Sequence, residues 1–251
     1  MDIEELLYRV GELVEDTVKR LGSSTVRFLF PRPSKVPPSS SALVRLFKKA
    51  LTPHEILSLR VQLAFLAYLV VALILVFLNL PWIFLAVSLL YILYLRYLLV
   101  TYQEFILEYS AYKTFYFWLS IIAIFAYGGY FAVRKYAFSP YHFYLYILLV
   151  LAVVLSFRYY FKSRYGRDYT YGVVEEVKND LVKVFVHDDI AANVKPGYYW
   201  VPAVPDAEPG LVVKLLVEER AFRSARPVRI LEVYLESQSS QTETEPKEET
   251  E

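Results

Sequence analysis

His187, Asp188 and Asp189 follow one another at the end of the β-like stretch LVKVFVHDD. An imidazole beside two carboxylates can hold a divalent metal. Such a site draws donors from elsewhere in the chain. The other two histidines, His54 and His142, belong to different regions, expected on opposite faces of a membrane. The trio therefore reads as a polar loop. Glu104 and Glu108 are one helical turn apart, a spacing that could take a cation or a proton, but they lie outside the apolar runs and read as a solvated face. Arg96 is the deepest charge in an apolar run. Snorkelling to headgroups accounts for it; a partner inside a bundle, or a role in transport, is the alternative. HExxH, GxSxG, Walker A and GxGxxG patterns are absent, and the serines, several of them in a linker and a tail, have no paired histidine. The expectation is a protein that is not an enzyme and takes no cofactor.

Tyr198, Tyr199 and Trp200 form an aromatic group in a turn-rich stretch. Aromatic faces can stack nucleobases. Yet Glu175, Glu176, Asp180, Asp188, Asp189, Asp206, Glu208, Glu218 and Glu219 crowd the same region, and such a surface repels phosphate. Nucleic acid is not expected as a partner. Tyr198 and Trp200 read instead as anchors for a protein partner, or as rings that rest on their own domain or on headgroups.

The elements that position these residues follow from composition. The chain has 251 residues, 56% hydrophobic, with a mean hydropathy of +0.35. The apolar excess lies between Val61 and Phe157, as for membrane spans. A net charge of +1 names no polyanionic partner. With no cysteine there are no disulfides and no thiolate chemistry. One methionine among many Lys, Glu, Arg and Tyr residues fits a hot-adapted organism. No cleavable signal peptide is visible, so the first span is expected to direct insertion.

Residues 1–30 open with Ile3, Leu6, Leu7, Val10, Leu13, Val14, Val18 and Leu21 at three- and four-residue steps, the pattern of an amphipathic helix. Its polar face is acidic, which suits packing on protein rather than on a membrane surface. Residues 31–41, PRPSKVPPSSS, are a linker. Residues 42–60 hold a short basic helix with Arg45, Lys48 and Lys49, suited to anionic headgroups, and then TPHE, a helix start in which Thr52 caps and Glu55 completes a capping box. Residues 61–167 are read as a four-span membrane domain, with spans at 61–79, 81–100, 116–133 and 140–157. Gly128 and Gly129 allow close helix contact in the third span.

Arg45, Lys48, Lys49, Arg60, Arg96 and Lys113 flank one side of these spans, as do Arg158, Lys162, Arg164 and Arg167. Arg134 and Lys135 alone flank the other. The positive-inside rule then places both termini in the cytoplasm of a multi-pass cell-membrane protein. Residues 168–236 alternate in short strands, near 171–177, 181–186, 199–204, 211–217 and 228–235. Turn signals stand at Asn179-Asp180, Pro196-Gly197 and Pro209-Gly210. The fold class expected is an α-helical integral membrane protein followed by a small cytoplasmic all-β barrel of the OB or SH3-like kind. Residues 237–251 read as a disordered acidic tail.

From the amphipathic start to GVVEEVKNDLVKVFVHDDIAANVKPGYYWVP, the chain resembles an uncharacterised archaeal family of multi-span membrane proteins from hyperthermophiles. That resemblance implies no activity. The layout, several spans before a small barrel, is also similar to the NfeD family, whose partner is a stomatin-like scaffold protein. The glycine-rich start typical of that barrel is absent. The leading reading is a scaffold or partner-binding subunit that acts through its barrel and N-terminal helix. Its partners would be the bilayer, anionic headgroups, and another protein or a further copy of itself. The alternative is a small oligomeric channel or transporter with the β-domain as a vestibule.

Overall fold

The computed structural model describes residues 26, 28–38, 52–220 and 223–234. Residues 1–25 of the expected amphipathic helix, the basic residues Arg45, Lys48 and Lys49, and the acidic tail lie outside the described residues. The chain divides into two compact units, residues 1–160 and 161–251.

The first helix, α1 (Pro53–Phe77), begins as its sequence dictates. The Thr52 hydroxyl accepts the Glu55 N–H, and the Glu55 carboxylate accepts the Thr52 N–H at 3.0 Å, a complete capping box ahead of Pro53. A tight turn with Asn79 at φ 56° leads into α2 (Pro81–Thr101). The connection to α3 (Tyr109–Tyr136) is a single 3-10 turn, Gln103–Phe105, and a left-handed Glu108 at φ 59°. Helix α4 (Tyr141–Tyr165) follows. Among the described residues these four helices are long and apolar enough to cross a membrane. Three of them run past the expected spans because backbone bonding continues through their polar ends. The basic stretch from Arg158 to Arg164 is thus helical.

Helices α1, α2 and α3 pack on one another. None of α4's apolar window is buried. It meets α3 through the ring pairs Phe115–Phe157 and Tyr130–Phe143, at 6.0 and 6.1 Å, and through the Tyr146 hydroxyl, which donates to the carbonyls of Phe125 and Ala126. Gly129 makes this approach possible, since a Cβ there would stand 2.9 Å from the Tyr146 oxygen. An apolar cleft of about 870 Å³ separates the rest of α3 and α4.

The second unit holds a curled antiparallel half-barrel of five strands among the described residues: β1 (Tyr169–Lys178), β2 (Leu181–Val186), β3 (Gly197–Pro202), β4 (Val212–Arg220) and β5 (Arg223–Tyr234). Their order in the sheet is β3-β2-β1-β4-β5. Period-two alternation sends Val174, Val182, Val184, Val186, Val201, Val213, Leu215 and Val217 to one face, where they form the core with Val194, Ala225 and Ile230. Asn179 at φ 51° and Gly210 at φ 93° occupy two of the expected turns. Strand β5 begins five residues earlier than expected, and register shifts along its pairing with β4 let the long strand wind round the sheet.

Candidate functional site

The outward face of the sheet is unusual for a face turned away from the core. Strand pairing sets Tyr198 opposite Phe185, Phe185 opposite Val173, Val173 opposite Val212, and Val212 opposite Tyr234. One transverse row of five apolar side chains thus crosses all five strands. Neighbouring strands lie about 4.8 Å apart, so the row is about 19 Å long. Tyr198, Val212 and Tyr234 within it, with Tyr171 and Trp200 beside it, are each 41–42% exposed. The Phe185 and Tyr198 rings lie 5.1 Å apart.

Charges border the row in compensated pairs. Lys183 stands 4.6 Å over the Tyr198 ring and 3.9 Å from the Glu175 carboxylate. Lys214 stands over the Tyr169 ring at 4.8 Å and donates to Glu232 at 3.2 Å. The Tyr234 hydroxyl donates to the same carboxylate at 2.8 Å. These contacts hold the Glu232 carboxyl below its ordinary range, the Tyr234 hydroxyl contributing most and Lys214 next. The carboxylate in turn pushes the Tyr234 phenol up to about 12.

Strand β3 starts two residues earlier than expected, so it takes in Tyr198 as well as Trp200, side by side on one face. The sequence reading missed the rest of the row. Its signal was present in the alternation, since Phe185, Val173, Val212 and Tyr234 occupy the positions between core residues. Their meeting depends on a strand order that periodicity does not give.

The His187–Asp189 loop has a structural role. One Asp189 oxygen accepts from Arg167 at 2.8 Å and from Thr170 at 2.6 Å, and the other accepts the Ala192 N–H at 2.9 Å. A short antiparallel bridge between Asp189 and Val194 and a parallel one between Val194 and Ala225 bring the lead-in to β3 against β5. Among the described residues, no group of three or more His, Asp or Glu side chains is placed to hold a metal ion. Of the cations read as headgroup contacts, Arg167 is taken up by this loop. Lys162 pairs with Glu219 at 2.7 Å, and Arg158 and Arg164 are exposed. Arg96 is exposed too, and donates to the Leu29 carbonyl at 3.4 Å.

Polar groups inside the helices form a second cluster. The Ser88 hydroxyl donates to the Phe84 carbonyl at 2.7 Å, which leaves its oxygen to accept from Tyr68 at 3.0 Å. Ser120 repeats the arrangement, donating to Tyr116 at 2.6 Å and accepting from Tyr91 at 3.0 Å. The rings of Tyr68 and Tyr91 stack at 4.3 Å. Buried His54 takes the Leu107 N–H on Nδ1 at 3.2 Å and faces the Tyr112 hydroxyl with Nε2 at 3.3 Å. These bonds tie α1 to α2, α2 to α3, and the α2–α3 connection back to α1. Single serines in otherwise apolar runs were the sequence signal for them.

No curated protein and no solved structure matches the chain. A family model matches residues 25–231, which takes in the four apolar helices and nearly all of the sheet. The chain belongs to DUF2101, a family of predicted membrane proteins of unknown function.

Proposed function

We propose that this membrane protein is a non-enzymatic scaffold subunit whose β-domain holds another protein against the outward face of its sheet. The observation that carries this reading is the five-residue apolar row from Tyr198 to Tyr234. Exposed aromatics spread over adjoining strands cost a solitary domain solubility, and such side chains are favoured as interface anchors. The Lys183–Glu175 and Lys214–Glu232 pairs support a protein rather than a polyanion, because both lysines are already met by carboxylates. An OB-like barrel fits the strand order, in which β1 is flanked by β2 and β4, and the parallel Val194–Ala225 bridge draws the lead-in to β3 towards β5. The Lys/Arg distribution supports a cytoplasmic position for this domain and for both termini, in the cell membrane.

The absence of cysteine makes a direct test available. Single cysteines at Tyr198 and Val212, on the row, and at Glu208, away from it, are labelled with a small maleimide in native membranes and again after purification in mild detergent. Protection of the two row positions in membranes, with Glu208→Cys reactive throughout, is the expected result. Equal reactivity at all three positions in membranes would overturn the proposal.

A further inference from the structure

We infer that the occupant of this face is the same face of a second copy of the chain, a reading that rests on the partner-binding function proposed above. Three observations support a second copy, the last two of them over a different protein. The first is area. Tyr171, Leu181, Tyr198, Trp200, Val212 and Tyr234 are 41–45% exposed on this one face. Aromatic side chains carry about 150–250 Å² each and Leu and Val somewhat less, so the six together present at most roughly 500 Å². That lies at the size of the largest patches on monomeric proteins, about 300–600 Å². Two such faces in contact bury up to about 1,000 Å², the lower bound of a specific interface.

The second is charge. A face that meets itself brings like charges together unless each is offset. Here Lys183 is met by Glu175 and Lys214 by Glu232 within the same face. Self-contact along the row therefore adds little repulsion, and a partner chosen by electrostatic complementarity would find little sign to read there; exposed Arg229, beside Leu216 further along the face, lies beyond the row.

The third is symmetry of the row. It is centred on Val173 in the middle strand β1, with a valine or phenylalanine on either side and a tyrosine at each end. A two-fold axis parallel to β1, lying between the two faces over Val173, sets Tyr198 of one copy against Tyr234 of the other, and Phe185 against Val212. Every member of the row then meets an apolar partner, as an isologous interface requires. Membrane insertion keeps the domains of all copies at one depth, which raises their effective concentration for such a contact.

The test uses the full chain in native membranes and in mild detergent. Single cysteines at Val173 and Glu208 are treated in membranes with a short bis-maleimide, and the purified wild type is weighed by light scattering. The expected outcome is a cross-linked dimer from Val173→Cys, none from Glu208→Cys, and a dimeric mass for the wild type. A Val212→Glu variant is expected to become monomeric while its melting stays cooperative. Should that variant fail to fold, Phe185→Ala in the Val173→Cys background serves instead, and at least a several-fold loss of cross-link is expected. A monomeric wild type with no cross-link at Val173 overturns the inference. If maleimide protection of the row in membranes persists in that case, a different protein occupies the face and only the second-copy reading falls. If the row also labels freely, the partner-binding function falls with it.

Discussion

Arg167 donates to Asp189 at 2.8 Å, and both side chains are largely buried at 18% and 9% exposure. The pair joins the residue just ahead of β1 to the loop that leads into β3. Thr170 and the Ala192 N–H complete the carboxylate's hydrogen bonds. Removing one partner of a buried pair leaves the other charge unmet, at a cost of about 3–5 kcal/mol. Asp189→Ala is therefore expected to lower the stability of the sheet domain by about 3 kcal/mol, with a smaller loss for Asp189→Asn. Thermal and denaturant unfolding followed by circular dichroism will measure it. A loss below about 1 kcal/mol would mean that the loop is held by its backbone bridges instead.

In the helices, the Tyr91–Ser120 bond should be measurable as a coupling. Interhelical hydrogen bonds in membrane proteins contribute about 0.6 kcal/mol on average and up to about 1.7. Tyr91→Phe, Ser120→Ala and the double variant form a cycle that isolates it. A coupling of about 1 kcal/mol is expected in detergent unfolding, the stacked Tyr68 ring holding the phenol in place. Strict additivity of the two single variants would show that the bond contributes nothing.

Gly172 provides a sign test. Replacing glycine by alanine in an ordinary extended segment stabilises by about 0.4–1 kcal/mol through the unfolded chain. At Gly172 a Cβ would stand 2.5 Å from Val184 Cγ1 and 2.8 Å from the Phe185 carbonyl oxygen. Overpacking of this kind costs about 1–3 kcal/mol, so Gly172→Ala is expected to destabilise. The same crowding would disturb Phe185 in the outward row, and maleimide labelling at Tyr198 should report it.

The acidic limb of stability follows from Glu232. Its carboxyl is lowered by the Tyr234 hydroxyl and by Lys214, and the group is fully exposed. A depressed acid contributes stability above its unfolded value, and that contribution is lost as pH falls through the lowered folded value. Glu232→Gln should flatten this acid limb. It should also return Tyr234 from about 12 towards the ordinary phenol range, because the carboxylate that retains its proton is gone. Ring-carbon NMR of labelled tyrosine, followed through alkaline pH, checks both ends of the bond. An unmoved Tyr234 titration in the variant would contradict the hydrogen bond as its cause.

Local chemistry made much of this protein legible in its sequence. Apolar runs of span length, the Thr52–Glu55 capping box, Pro81 at a helix start, and the period-two alternation of β2 and β4 each depend on neighbours a few residues away. All four appear in the structure where their residues placed them. The close approach at Gly129 was legible too, because only a missing side chain admits the Tyr146 ring. What the tertiary structure decided depends on partners far apart in the chain. Alternation shows that Val173, Phe185, Tyr198, Val212 and Tyr234 point away from the core. Only the order β3-β2-β1-β4-β5 makes them one row, because pairing order is set by loop paths and core packing rather than by period. The HDD stretch reads as a polar loop from its sequence. Its Asp189 became an anchor once folding brought Arg167 and Thr170, some twenty residues distant, within hydrogen-bonding reach.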